Sequence, residues 1–273
     1  MGVDRYSRNE ALFGVEGQAR IAATKVAIGG LGGVGGPVAQ QLAYLGVRDF
    51  AVIDFDVVTD SSLNRLVGAI DADVQVAAKK IAIATRMIRS IQPNATITPV
   101  DGRIDTPDAI AAIAAADVVF GCLDRDLPRL HLASACARYA KTLFDLASDT
   151  GGGDEPWYGG RVVFCDGTRC VVCLGLLDQE EMRRDAMSPD QRAAHERIYG
   201  VRANALDGTG PMVVSINGIV ASLAVTEFMA HITGLRAPMP HLIYRGDQQI
   251  IRRSVDEPES DCYYCSGLWG SAL

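Results

Sequence analysis

The sequence lacks an excess of positive charge. Its 26 Lys and Arg residues are outnumbered by 33 Asp and Glu residues, which gives a net charge of −7 and a pI near 5.1. Nucleic-acid-binding proteins usually present a basic face, so no nucleic-acid partner is expected. The charged fraction, 22%, and the hydrophobic fraction, 48%, are those of a folded chain rather than a disordered one. The chain is long enough to bury a full core.

The sequence also lacks an uninterrupted apolar segment of membrane-spanning length. Its longest apolar stretch, Pro211 to Ile232, is broken by polar residues such as Asn217 and Glu227. A buried or interface helix is therefore favoured over a membrane span. The first ten residues are polar and charged, unlike a secretory signal. We expect no membrane association and a cytoplasmic protein, in which seven cysteines do not imply disulfides and the paired CxxC motifs favour metal binding.

Strand and helix patterns alternate along the first half of the chain. Lys25–Gly29 is predicted to be a buried strand, Pro37–Gly46 a helix, Phe50–Phe55 a strand and Val74–Ile91 a helix. The same alternation continues with strands at Ala95–Val100, Asp117–Gly121 and Thr142–Asp145, and helices at Pro107–Ala115 and Leu127–Ala140. This pattern predicts an α/β fold of the Rossmann type, with a mostly parallel sheet and helices on both faces.

The pattern changes after residue 148. Ser148–Gly160 is rich in glycine and aspartate and is predicted to be a loop, and Gly175–Gly210 a long crossing segment. A long helix is predicted from Pro211, within an antiparallel C-terminal extension. We see no internal repeat and no convincing linker. We therefore expect a single domain, 1–273, made of two halves, 1–148 and 149–273.

A glycine-rich turn lies between the first strand and the helix that follows it. Gly30, Gly32 and Gly35 fit G-x-G-x-x-G, in which glycines let the backbone approach a phosphate at a helix N-terminus. Asp54 ends the next strand, where an acid can accept hydrogen bonds from ribose hydroxyls. A nucleotide site is favoured over a turn that serves packing alone. These residues by themselves would equally fit an NAD-dependent dehydrogenase.

Charged residues beyond Asp54 favour a different chemistry. Asp56 and then Asn64-Arg65 follow it, and an arginine there can neutralise phosphate charge when pyrophosphate is displaced. A solvated turn is the alternative for that pair. Lys80 falls within the apolar stripe of its predicted helix, whereas Lys79 lies outside the stripe. Lys80 must therefore either meet a fixed anion or extend its ammonium group to solvent, and both remain open.

Asp124 follows the strand Asp117–Gly121, at the edge of the sheet where ligands bind in open α/β folds. A carboxylate near a triphosphate commonly holds Mg²⁺. The alternative is that Asp124 caps the helix predicted from Leu127.

Two CxxC pairs have the spacing of a metal site. Cys170 and Cys173 form the first pair, and Cys262 and Cys265 form the second. Four thiolates leave no open coordination position, so they predict a structural zinc site, with redox-active dithiols as the alternative. The remaining cysteines, Cys122, Cys136 and Cys165, have apolar neighbours and are expected in the core.

The order of these motifs resembles the ThiF/MoeB family, bacterial relatives of the ubiquitin-activating enzymes. The resemblance extends over nearly the whole chain. The matching segments, in order, are Arg5–Arg8, Glu16–Gln18, Gly30–Gly35, Asp54–Asp56, Ser62–Arg65, Lys80 with Ile91–Pro93, Cys122–Asp124 with Arg129, and the two CxxC pairs.

The resemblance implies an enzyme that binds ATP·Mg²⁺ and joins AMP to the C-terminal carboxylate of a small ubiquitin-like or sulfur-carrier protein. It also implies a homodimer, in which Arg8 would reach into the active site of the other subunit. A carboxylate is already ionised at pH 7, so positioning and charge neutralisation would carry the catalysis. The implied roles are Gly33 under the phosphates, Asp54 on the ribose, Asn64, Arg65 and Lys80 on the triphosphate, and Asp124 on Mg²⁺.

The sequence departs from the family pattern at several positions. Gly175–Gly210 contains no cysteine, so we expect the reaction to stop at the acyl-adenylate without a thioester to the enzyme itself. Ser62, Leu66 and Ala133 replace residues that the family often has as Asn, Gln and Asn. Three alternatives stay open: activation of a peptide or small carboxylic acid, an inactive scaffold subunit, and, weakest, a dehydrogenase, which would leave Arg65, Lys80 and the cysteine pairs unexplained.

Overall fold

The computed structural model describes residues 5–151, 157–188, 191 and 212–272. In these residues eight strands form one sheet, in the spatial order β3-β2-β1-β4-β5-β6-β7-β8. The first five strands in chain order are parallel, and β6, β7 and β8 extend the sheet antiparallel. The strands are β1 Lys25–Gly29, β2 Asp49–Ile53, β3 Thr96–Val100, β4 Val118–Gly121, β5 Thr142–Gly151, β6 Trp157–Cys165, β7 His241–Arg245 and β8 Ile250–Arg253.

Helices cover both faces of this sheet. The first face carries α1, α2, α4 and α8 over a core that includes Phe50, Phe120 and Phe144, and the other carries α5 and α6. The predicted fold class is therefore confirmed. The helices, numbered in chain order over the described residues, are α1 Ser7–Ala23, α2 Gly35–Leu45, α3 Asp71–Gln75, α4 Lys80–Ile91, α5 Pro107–Ala115, α6 Asp126–Arg138, α7 Gln179–Ala186 and α8 Val214–Thr233.

The helix predicted over Val74–Ile91 is two helices, so that prediction was wrong in its first third. Ala77 has a φ of +47°, and Lys79 is extended. The backbone between α3 and α4 bonds to the segment after β2 instead of to its own helix, with Lys80 N donating to Asp56 O at 3.0 Å. These hydrogen bonds to the segment after β2 place Lys80 at the first position of α4, beside the end of β2.

The loop predicted over Ser148–Gly160 was also wrong. Ser148 pairs with Gly160 and Gly151 with Trp157, so that β5 and β6 continue as a long antiparallel pair. Gly160 is required by packing, because a Cβ there would lie 2.5 Å from the carbonyl oxygen of Ala147. The loop prediction at 152–156 lies outside the described residues, as do most of the predicted crossing segment and the first residue of the helix predicted from Pro211.

The helix α8 is a core helix. Among the described helices it alone has the length and apolar composition that would allow a membrane crossing, but 56% of that segment is buried. It packs against α1, α2, β5 and β6. Its apolar residues thus pack in the interior of the domain. This packing places the first turn of α8 close to the glycine turn.

Candidate active site and metal centre

The glycine turn links the end of β1 to the start of α2. Gly30 has a φ of +86°, and a Cβ there would lie 2.5 Å from the carbonyl oxygen of Cys122. A Cβ on Gly35 would overlap the carbonyl oxygen of Gly30. At Gly32, in contrast, no atom of the other described residues beyond its chain neighbours lies within 4 Å of the Cβ position, so within the described structure this side of the turn is open. The turn therefore has one face fixed by packing and one face that a ligand can approach.

The carboxylate of Asp54 fastens this turn to the end of β2. Its Oδ2 accepts a hydrogen bond from Leu31 N at 2.7 Å, and its Oδ1 accepts one from Asp56 N at 2.8 Å. Asp54 is 8% exposed. Burial raises its pKa, and the nearby charge of Lys80 opposes that rise. Each carboxylate oxygen has a second lone pair, so Asp54 can still accept bonds from ribose hydroxyls.

The two neighbouring lysines point in different directions. Lys80 Nζ lies 2.6 Å from Asp56 Oδ2, and the Lys80 side chain is 16% exposed. Lys79 is 42% exposed, and its Nζ binds Phe55 O at 2.9 Å and Asp101 Oδ1 at 3.1 Å. Lys80 therefore meets an anion, which was one of the two alternatives for this residue. Its ammonium group lies beside Asp54 and Asp56.

Arg65 lies against the glycine turn. Its Cδ would be 3.3 Å from a Cβ on Gly33, and its Nη1 donates to Ser61 O and, at 2.9 Å, to Asn64 Oδ1. Asn64 Nδ2 is 3.5 Å from Met212 O, just before α8. The guanidinium group is thus held beside the turn by its own loop. These hydrogen bonds are solvent-exposed, so the phosphate-binding role of Arg65 stays a prediction.

The residues that depart from the family pattern are buried. Ser62 Oγ accepts a hydrogen bond from Thr59 N at 3.3 Å, and so it serves the loop itself. Leu66 is 5% exposed and packs with Val58 and Ile83. Ala133 is a buried residue of α6 and belongs to the core on that side of the sheet. Leu66 therefore contributes to apolar packing beneath α4. Its presence does not displace the charged residues of the site.

Asp124 is exposed just beyond β4. It lies two residues after Cys122, whose carbonyl oxygen touches Gly30. The N-cap residue of α6 is Arg125, so Asp124 does not cap this helix. Among the described residues no hydrogen-bond partner occupies its carboxylate, which leaves both oxygens available to a cation.

Arg8 lies at the opposite end of α2 from the glycine turn. It is exposed on the first turn of α1, and the adjacent Asn9 bonds Leu45 O at 3.4 Å, where α2 ends. Because α2 begins at the glycine turn and an 11-residue helix is about 16 Å long, Arg8 is remote from the site of its own chain.

Two residues near the site, Arg129 and Asn217, have contacts that the sequence did not predict. Arg129 forms a buried ion pair with Asp145, with Nη1 at 2.7 and 2.8 Å from the two carboxylate oxygens. Arg129 Nη2 also donates to Leu123 O, which fixes the segment that carries Asp124. Asn217 lies against Gly33. The only sequence signal for Asn217 was its polarity within an apolar stretch.

The four cysteines of the CxxC pairs come together as predicted. The Sγ–Sγ distances are 3.8 Å for Cys170–Cys173, 3.8 Å for Cys170–Cys262 and 3.9 Å for Cys173–Cys265. All four sulfurs lie within 4.8 Å of one another. A tetrahedral zinc with Zn–S bonds of about 2.3 Å has S–S edges of about 3.8 Å, so the cluster fits zinc.

The surroundings of this cluster also suit a metal. Burial raises the pKa of the Cys170 thiol to about 12. A bound cation would replace the thiol protons and hold the four sulfurs as thiolates. Cys136 and Cys165 are buried core residues, as expected, whereas Cys122 is half-buried beside the glycine turn.

Comparison with known proteins identifies the chain as an adenylyltransferase. Molybdopterin-synthase adenylyltransferase of Escherichia coli is 28% identical over 236 residues, 86% of this chain and 84% of that protein. Sulfur carrier protein ThiS adenylyltransferase of E. coli is 27% identical over 271 residues, 96% of this chain and 95% of that one. The chain belongs to the ThiF family, whose sequence profile matches residues 6–265.

Other similarities are partial or concern the fold. SAMP-activating enzyme E1 of Haloferax volcanii is 35% identical over 136 residues, so the match spans half of that protein and 49% of this chain. The crystal structure of E. coli MccB with ATP has a TM-score of 0.71 and 19% identity, over 96% of this chain and 74% of that one. MccB in complex with N-formylated MccA gives a TM-score of 0.75 at 18% identity, over 96% of this chain and 75% of that one.

Proposed function

We propose that the protein uses ATP·Mg²⁺ to adenylate the C-terminal carboxylate of a small ubiquitin-like or sulfur-carrier protein and releases pyrophosphate. The observation that carries this proposal is that Arg65 lies against Gly33, while Lys80 lies near Asp54, whose carboxylate accepts a hydrogen bond from Leu31 N in the glycine turn. Cations from separate segments are what a triphosphate needs when negative charge moves onto leaving pyrophosphate. The adenylyltransferase relatives support the same activity.

The proposed division of work follows the geometry. The glycine turn would hold the phosphates, Asp54 the ribose, and Asp124 the magnesium ion. Arg65 and Lys80 would stabilise the charge on the departing pyrophosphate. The enzyme stops at the acyl-adenylate and hands it to a separate thiol or amine, and the four-cysteine zinc site has a structural role. We further propose that the protein acts in the cytoplasm.

ATP–pyrophosphate exchange tests this function directly. Small candidate proteins that end in Gly-Gly are mixed with the enzyme, ATP, Mg²⁺ and labelled pyrophosphate. We expect label to enter ATP only when a cognate carrier is present, because reversal requires its acyl-adenylate. A truncated carrier without its last two residues is the matched control. Tight ATP binding without exchange for any carrier tail would count against the proposal.

We also propose that the enzyme is a homodimer in which Arg8 acts in the partner's site. The distance of Arg8 from its own glycine turn supports this arrangement. Arg8→Ala and Lys80→Met variants should each be inactive alone. When they are mixed and allowed to exchange subunits, activity should return to about a quarter of the wild-type value, because half of the dimers then hold one intact site of two. No recovery in demonstrably mixed dimers would place Arg8 outside the reaction.

A second substrate class is a peptide or small carboxylic acid. The fold similarity to MccB bound to N-formylated MccA favours it. Pull-down with the enzyme separates the two classes: capture of a protein ending in Gly-Gly supports a carrier. Exchange that is driven by a short peptide, with no carrier captured, would support the second class instead.

A further inference from the structure

Asn217 has a buried amide group with an unused hydrogen-bond donor. The residue lies in the first turn of α8 and is 1% exposed. Its Nδ2 is enclosed and has no hydrogen-bond partner in the described part of the chain. A buried donor without a partner carries its full desolvation cost, and native proteins keep few of them. A donor in this state can gain a partner when a ligand binds beside it.

The unused donor lies at the glycine turn. A Cβ on Gly33 would overlap Asn217 Nδ2 and would lie 3.3 Å from Asn217 Cγ. The same Cβ would lie 3.3 Å from Arg65 Cδ. Glycine is therefore required at position 33 because Asn217 and Arg65 fill the space that a side chain would take. The start of α8, the glycine turn and the arginine loop meet at this residue.

The start of α8 is also suited to an anion. The helix has 20 residues, and its N-cap residue, Val213, provides no side-chain cap for the first backbone N–H groups. The N-terminus of a helix of this length carries a partial positive charge that favours anions. The last side-chain torsion of asparagine is broad and soft, so the amide can turn at little cost.

We propose that Asn217 is a nucleotide-binding residue whose Nδ2 donates a hydrogen bond to a phosphate oxygen of ATP. The first turn of α8 then lines the phosphate-binding site together with the glycine turn and Arg65. This inference rests on the proposed function only in requiring that ATP binds at the glycine turn. It does not depend on the identity of the acceptor carboxylate.

The variant Asn217→Leu tests the inference, because leucine has nearly the same shape and removes the donor. We expect the thermal midpoint of the free protein to stay unchanged or to rise, since no partner is lost. Affinity for ATP·Mg²⁺, measured by isothermal titration calorimetry, should fall about tenfold or more, the range of a hydrogen bond to a charged group. Asn217→Asp keeps the shape and adds negative charge, so it should lose more affinity.

Two controls make this result specific. Ser222 lies further along α8 and bonds Gln41 at 3.0 Å on the exposed side, so Ser222→Ala should bind ATP like the wild type. Adenosine has no phosphate, so its affinity should be equal for the wild type and Asn217→Leu. An equal loss for adenosine would place Asn217 away from the phosphates and overturn the inference.

Other outcomes are equally decisive. Normal ATP binding by Asn217→Leu would overturn the inference. A thermal midpoint several degrees lower for the free variant would overturn it too, since it would show that the amide has a partner within the protein. If the wild type binds ATP and Asn217→Leu does not, but no carrier supports exchange, the inference stands and the proposed carrier function fails. A wild-type protein that does not bind ATP would overturn both.

Discussion

The variant Lys80→Met is expected to lower the rate of ATP–pyrophosphate exchange by about a hundredfold or more. A preorganised donor aimed at developing charge is typically worth a factor of this size. Methionine keeps the apolar stem of Lys80 and removes only the charge. Asp56 loses its partner, but its side chain is 48% exposed and remains hydrated. The cost to folding should therefore be no more than about 1 kcal/mol.

Lys79→Met is the matched control for this variant. Lys79 precedes Lys80 directly, but its ammonium group binds Phe55 O and Asp101 on the exposed side. Removing that charge should change the exchange rate less than about twofold, because screened surface pairs contribute little. Exchange rates are compared at matched enzyme concentration, with thermal unfolding recorded for each variant. Undiminished exchange by Lys80→Met would contradict the assigned site.

Loss of the four-cysteine site is expected to destabilise the chain severely. The purified protein should contain one zinc ion per chain, and Cys173→Ser should contain almost none. We expect the free energy of unfolding to fall by about 4–5 kcal/mol or more, as in other losses of a structural metal. In a chain of this size that corresponds to a drop in melting temperature of roughly 10 °C or more. Metal analysis and calorimetry give the two values.

Cys136→Ala separates metal loss from loss of a buried sulfur. Cys136 is 2% exposed in the same core but is not one of the four clustered cysteines. We expect this variant to keep its zinc and to lose only about 1–2 kcal/mol of stability. If the wild-type protein contained no metal, and strong chelators left its melting temperature unchanged, the cluster would instead be a pair of dithiols.

The fold class could be predicted from the sequence because several of the parallel strands are short apolar runs bounded by turn residues. Lys25–Gly29 and Pro107–Ala115 have the predicted bounds in the structure. The errors came from competing local signals. The periodicity of Val74–Ile91 gave no sign that the backbone at Lys79 would bond the segment after β2. The glycines at 159 and 160 resembled a loop, although tight packing between strands requires them.

Part of the candidate site could be foreseen for a similar reason. Asp54 and Asp124 follow strands, and the carboxyl ends of parallel strands meet at one edge of a sheet. The position of Lys80 within the apolar stripe of its helix was informative, because it left only a fixed anion or solvent as the place for the ammonium group, and in the structure that group meets Asp56. Asn217 could not be found this way. Its position depends on how α8 crosses the sheet, and that follows from tertiary packing rather than from any local pattern.

The double hydrogen bond of Asp54 has a consequence for the kinetics of nucleotide capture. Since Leu31 N and Asp56 N are already tied to this carboxylate, the turn is ordered before any ligand arrives. ATP binding then does not have to order this loop. Because that entropic cost is absent, a larger part of the interaction free energy contributes to the affinity for ATP. Stopped-flow traces of ATP association should accordingly follow a single exponential, with an observed rate that rises linearly with ATP concentration.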